Sequence, residues 1–185
     1  MKYKLFKNIN KNSQRGFTLI ETLVAILILM SSVAGMIIVS SAGASNLRYA
    51  KNKAIASHLA SEGVEMIRNI RDSYLIDPAL GWSDFATLMG ECSSGCAVDP
   101  YFPKDVISCD ADAELGCQAL YIDNGAYGYS SGGEISPFTR VITVKDIGSG
   151  NQEVEVFSTV YWKQGENVYS EENYTFLMNW IDPLF

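Results

Sequence analysis

The chemistry most open to reading in this chain lies in QRGFTLIETLVAILILM (Gln14–Met30), where a single carboxylate, Glu21, stands at the head of an apolar run. A charged side chain deep in a bilayer costs on the order of 2.5–3.5 kcal/mol on insertion scales, so such a group calls for a partner of opposite charge. The nearest base on the chain is Arg15, six residues back. A cut between Gly16 and Phe17 would create an α-amino group only four residues from Glu21, and on a neighbouring copy that amine could meet the carboxylate in an apolar interior. Gly16 suits a cleavage point because it presents no side chain and leaves the backbone free to extend into a peptidase.

Three other groups of residues carry possible chemistry. Cys92, Cys96, Cys109 and Cys117 form C-x3-C and C-x7-C spacings, not the short C-x2-C knuckles of zinc sites, and the only histidine, His58, lies well upstream. Disulfides are therefore the expectation, with three pairings open. Asp110, Asp112 and Glu114 in CDADAELGC are hard oxygen ligands of the kind that hold calcium, but the complete twelve-residue calcium loop is absent. GYSSG (Gly128–Gly132) fits the G-x-S-x-G pattern of hydrolases with Ser130 as nucleophile, yet no histidine comes after it and GEISPF leads into a strand, so it reads as a glycine-rich turn. The chain is expected to be a substrate for an enzyme and not an enzyme, with no cofactor.

The elements that carry these residues differ sharply in charge. The first 16 residues hold five bases (Lys2, Lys4, Lys7, Lys11, Arg15) and no acid, whereas Asp72–Phe185 holds 18 acids against four bases. So acidic a C-terminal part repels phosphate backbones, and direct nucleic-acid binding is not expected. A basic start before an apolar run keeps an N-terminus cytoplasmic and sends the C-terminal part of the chain across the membrane, where disulfides persist.

Thr22–Leu47 carries no formal charge, and as a helix it would reach about 39 Å, enough to span a hydrocarbon core of about 30 Å. Apolar residues from Leu19 to Val39 cover every helical face, as lipid or other apolar helices require. An uncut signal anchor is one reading of this segment. A secretory signal peptide cut before Ser45, after the Ala42-x-Ala44 of AGAS, is a second, although its leader and apolar run are both long and Glu21 is odd there.

Beyond the span, Ala56, Leu59, Ala60, Gly63, Val64, Ile67, Ile70 and Tyr74 recur at three and four. They predict an amphipathic helix whose polar face holds Glu62, Glu65, Asn69 and Asp72. Joined to the span, this helix runs from 17 to 73 and crosses the membrane up to about 47; Pro78 and Gly81 in DPALG stop it. The head, 74–185, opens with a loop-rich, cysteine-containing segment, 81–123. FTRVITVKD, NQEVEVFSTVYWK and NVYSEENYTFLMNW then read as antiparallel strands of a sheet over about 138–178. On the middle strand Val154, Val156, Ser158, Val160 and Trp162 share the face suited to the helix.

RGFTLIE at the end of a basic leader resembles the N-terminus of type IV prepilins and of the pseudopilins of type II secretion, closely from Arg15 to about Val39. The resemblance implies an α+β, pilin-like fold, a long N-terminal helix packed on a C-terminal antiparallel sheet. It implies that a prepilin peptidase removes residues 1–16 after Gly16 and methylates the amine of Phe17, and that Glu21 pairs with the N-terminus of a neighbouring subunit. The partners are then the peptidase, other pilin or pseudopilin subunits and the membrane. The location is the cytoplasmic membrane, single-pass with the N-terminus inside, and afterwards a cell-surface or periplasmic filament. ETLVAI leans toward a minor pilin. Many type IV pilins place a proline in the membrane half of the helix; here only Gly35 and Gly43 could weaken it, at about 1 kcal/mol each against roughly 3 for proline, which leaves both a helix that melts on assembly and a straighter one, as in pseudopilins, open. A membrane-anchored binding domain that acts alone is the reading from a different class.

Overall fold

The computed structural model describes residues 16–99, 106–109, 116–146 and 152–181. Its first element is α1 (Leu19–Ile76), unbroken through Gly35 and Gly43. The chain divides into two compact units, through Asn46 and from Leu47 onward. In the first unit every described residue from Gly16 to Asn46 is exposed. Among the described residues α1 is the one helix long and apolar enough to cross a membrane.

The second unit is the outer half of α1, a short helix α2 (Trp82–Gly90) and seven antiparallel strands. β5 (Glu134–Asp146) is the centre of the sheet. One of its edges carries β6 (Glu153–Gln164) and then β7 (Asn167–Met178). The other edge is long enough for two partners. β3 (Ala119–Asp123) pairs with its first half and continues to β4 (Ala126–Gly128), while β1 (Cys96–Val98) meets it at Ile142 and continues to β2 (Val106–Ser108). This is the α+β, pilin-like arrangement.

The helical periodicity decides which face of α1 meets the sheet: Ala56, Leu59, Ala60, Gly63, Val64, Ile67 and Ile70 are all buried, and Leu75 joins them beside a half-buried Tyr74. Strand alternation supplies the other side, with Val154, Val156, Ser158, Val160 and Trp162 buried on β6. Two apolar clusters result. Ala56, Leu59 and Ala60 pack with Leu120, Phe138, Val160 and Trp162. Ile67 and Ile70 pack with Phe85, Ile142, Val156 and Leu177. Segment 81–123, loop-rich by sequence, contains α2 and β1 to β3 among its described residues. Trp82, Phe85 and Met89 recur at three and four, giving α2 one buried face under the end of α1. α1 itself ends at Ile76, three residues later than expected, just before Pro78.

Between the two clusters α1 comes closest to β6. A Cβ on Gly63 would lie 3.0 Å from Arg140 Cδ, 3.1 Å from Ser158 Cβ and nearer still to Ser158 Oγ, so even a methyl group must displace its neighbours. Replacing a helical glycine by alanine ordinarily gains about 1 kcal/mol, whereas overpacking a filled site costs about 1–3 kcal/mol. Since Arg140 is held from two sides, the cost should win. Gly63→Ala is expected to lower stability by about 1 kcal/mol and to reduce Tm by a few degrees, read by circular dichroism.

Candidate functional site

Gly16, Phe17 and Thr18 lead into α1 in irregular backbone, with Phe17 76% exposed. Thr18 caps the helix: its Oγ1 accepts from the Glu21 N–H at 3.3 Å, and its carbonyl accepts from the N–H groups of Glu21 and Thr22 at 3.1 and 3.2 Å. Glu21 therefore sits in the first turn, where exposed N–H groups make the helix end partly positive and favour a carboxylate. Thr18 is a capping residue that the charge and hydropathy pattern does not reveal, although Thr18-x-x-Glu21 has the spacing of a capping box. The cap favours Glu21 but leaves its charge uncompensated: among the described residues its carboxylate makes no ion pair. Around it Leu19, Ile20, Leu23 and Val24 are 82%, 71%, 52% and 47% exposed, an apolar surface that the described residues leave open.

In the second unit the notable charged group is Arg140, 1% exposed on β5. Its Nη1 donates to the Leu59 carbonyl on α1 at 3.3 Å and its Nη2 to the Val98 carbonyl on β1 at 3.4 Å. The Glu62 carboxylate on α1 lies 3.7 Å from Nη1. Glu62, placed on the polar face by sequence, is thus an ion-pair partner for a charge inside the head. Tyr129 donates to the Arg140 carbonyl at 3.5 Å; burial raises its phenol pKa above the ordinary value, against the opposing pull of the Arg140 charge. Arg140 was legible in principle, since it falls in phase with Phe138, Ile142 and Val144 on the buried face of β5. Its arrangement is that of a cross-link between helix and sheet.

The remaining candidates separate. Cys92 is bonded to Cys96 and Cys109 to Cys117, with Cα atoms 4.8 and 5.1 Å apart. Ser130 comes after β4 in the turn that leads to β5, with a strand behind it where a nucleophile elbow has a helix. His58 lies exposed on α1. Asp110, Asp112 and Glu114 lie outside the described residues, and among the described residues no group of three or more histidine, cysteine or acidic side chains could hold a metal.

A capped carboxylate in the first turn of an exposed apolar helix, a few residues past a glycine, is the geometry against which likeness to known proteins can be weighed. Residues 11–37 match the family model of the prokaryotic N-terminal methylation motif. The chain carries the N-terminal motif of type IV prepilin-like and pseudopilin-like proteins. Compared with curated proteins and with solved structures, the chain matches none. The match covers 11–37, well under half of the chain.

The disulfides are open to direct mapping, because trypsin cuts after Arg71, Lys104 and Arg140. Digestion without reductant should release Asp72–Lys104 and Asp105–Arg140 as separate peptides, each lighter by two hydrogens than its reduced form. A linked pair would show a pairing other than Cys92–Cys96 and Cys109–Cys117.

Proposed function

We propose that the chain is a structural subunit, a minor pilin, of a type IV pilus-like filament. A prepilin peptidase cuts it after Gly16 and methylates the new amine of Phe17, and the subunit joins the filament through α1. The observation that carries this reading is the Glu21 carboxylate, inside the matched motif and set on an apolar helical surface without an ion-pair partner among the described residues. Before cleavage Phe17 offers only a peptide N–H; after cleavage every neighbouring copy offers an amine there. Pairing the two removes an insertion cost of about 2.5–3.5 kcal/mol from an apolar assembly and so favours addition of the next subunit. The apolar surface from Leu19 to Val39 suits first the cytoplasmic membrane and then a core of packed helices. In this account the protein is worked on by an enzyme and performs no catalysis itself.

A pseudopilin of a type II secretion system is the second reading, favoured by the unbroken α1 and the lack of a proline in its apolar half. Shearing separates the two: a pilin leaves with the fibres, and a pseudopilin stays with the envelope.

N-terminal peptide mapping of protein from its own membranes should find N-methylated Phe17; a start at Ser45 or an intact leader would overturn the reading. Glu21→Val should insert and be cleaved normally yet lose most of its incorporation into filaments, measured as the subunit fraction in sheared material. Incorporation equal to the parent would remove the pairing argument.

A further inference from the structure

The face of the sheet turned away from α1 carries a groove of about 580 Å³. Strand register lays out its floor. Thr143, Phe157 and Tyr174 lie in one cross-strand row, Val141, Thr159 and Glu172 in the next, and Thr139, Tyr161 and Ser170 in the third. Phe157 and Tyr161 therefore stand four residues, about 13 Å of backbone, apart along one strand, with the polar pair Thr159 and Glu172 between them. That row is already organised, since the Thr159 hydroxyl donates to Glu172 Oε2 at 3.1 Å. Phe157 is further steadied by stacking on Tyr174, with centroids 5.9 Å apart.

The walls add one base and a pair of hydroxyls. Lys145 Nζ stands 4.6 Å from the centroid of the Phe157 ring. Ser93 and Ser94 line the rim from the loop closed by the Cys92–Cys96 disulfide. That loop is fixed to the sheet, because the Val144 N–H donates to the Cys92 carbonyl at 3.1 Å. Gly95 closes it at φ 113°, a backbone conformation that side chains rarely adopt.

Each feature limits the ligand. An open groove with this many hydrogen-bonding groups is a poor home for a small apolar molecule, which needs an enclosed dry cavity. A polyanion would meet one ammonium, one carboxylate and a head with 18 acids against four bases beyond residue 71. The charges lining the groove cancel, leaving hydroxyls that both donate and accept, one pure donor, one pure acceptor and two half-buried aromatic rings, one of them shared with Lys145 and Tyr174. A pyranose offers the complement: an apolar C–H face for a ring and hydroxyls on its rim that donate and accept. We propose that this groove binds a neutral oligosaccharide, with Phe157 and Tyr161 as platforms for separate sugar rings and Thr159, Glu172 and Lys145 fixing the hydroxyls between them. The site lies wholly within the head, so it stands apart from the filament reading.

The test uses the full chain in a non-glycosidic detergent, titrated with cellotriose, maltotriose and triacetylchitotriose and monitored by saturation-transfer NMR. At least one triose should bind saturably. Phe157→Ala and Glu172→Gln should each weaken that binding at least threefold, while Glu166→Gln, in the β6–β7 turn, leaves it unchanged. If Phe157→Ala fails to fold, Glu172→Gln on the exposed end of the polar row still reads the site. No saturable binding by any triose overturns the proposal, as does binding that both variants leave intact. Uptake of trilysine without any triose would mark a cation site and overturn it as well.

Discussion

At Gly63 the backbone of α1 comes so close to β6 that a side chain would have to displace Ser158 and the aliphatic part of Arg140. That approach governs the rest of the head. It brings Leu59 and Val64 within packing distance of the sheet, and it closes the interior around a guanidinium 1% exposed. A charge so placed is expensive to desolvate, and its cost is offset only where hydrogen bonds and an opposite charge surround it. The carbonyls of Leu59 and Val98 and the carboxylate of Glu62 provide them, so that β5, α1 and β1 all meet at this one side chain. The result is a cross-link that works only in one register of helix on sheet. At the margins of the same contact, Lys53–Glu171 at 3.6 Å and Asn173–Ser61 at 3.0 Å tie β7 to the helix.

The two charged residues that stand out in this protein meet the same electrostatic problem in opposite ways. Arg140 finds partners for Nη1 and Nη2 inside its own fold, while its buried Nε has none among the described residues. Glu21 finds a helix cap and a favourable dipole, which are worth about 0.3–1 kcal/mol at an exposed helix end and fall short of what an apolar environment demands. A fold can satisfy a charge in its interior once, by packing. A charge on an apolar surface that its own fold leaves exposed gains no such compensation from packing.

Much of this was legible in the residues alone. The apolar run is a matter of composition; the amphipathic stripe of α1 and the alternation on β6 are local periodicities, and burial tracks these two nearly residue by residue. Fainter local signals mark other elements: Thr18-x-x-Glu21 for the cap, Trp82, Phe85 and Met89 for α2, and Asn124-Gly125, with φ of 49° and 84°, for the tight β3–β4 turn. Each is short, and a single turn of helix or a two-residue hairpin is easily lost in a segment rich in glycine, serine and cysteine.

What the sequence by itself determined is therefore whatever depends on neighbours along the chain: an apolar run long enough to span, a carboxylate at its head, a helix stripe and a strand alternation. Tertiary structure alone decided what depends on neighbours across space. Four cysteines allow three pairings, and only the chain path from α2 through β1 and β2 brings Cys92 to Cys96 and Cys109 to Cys117. Glu62 became a partner of a buried charge, although its helical position marks it as polar surface, because Arg140 arrives beneath it from 78 residues away in sequence. β5 seats β1 and β3 on one edge because its 13 residues exceed what either short partner covers. The Glu62–Arg140 contact closes a long loop, and its geometry comes from packing that no local pattern records.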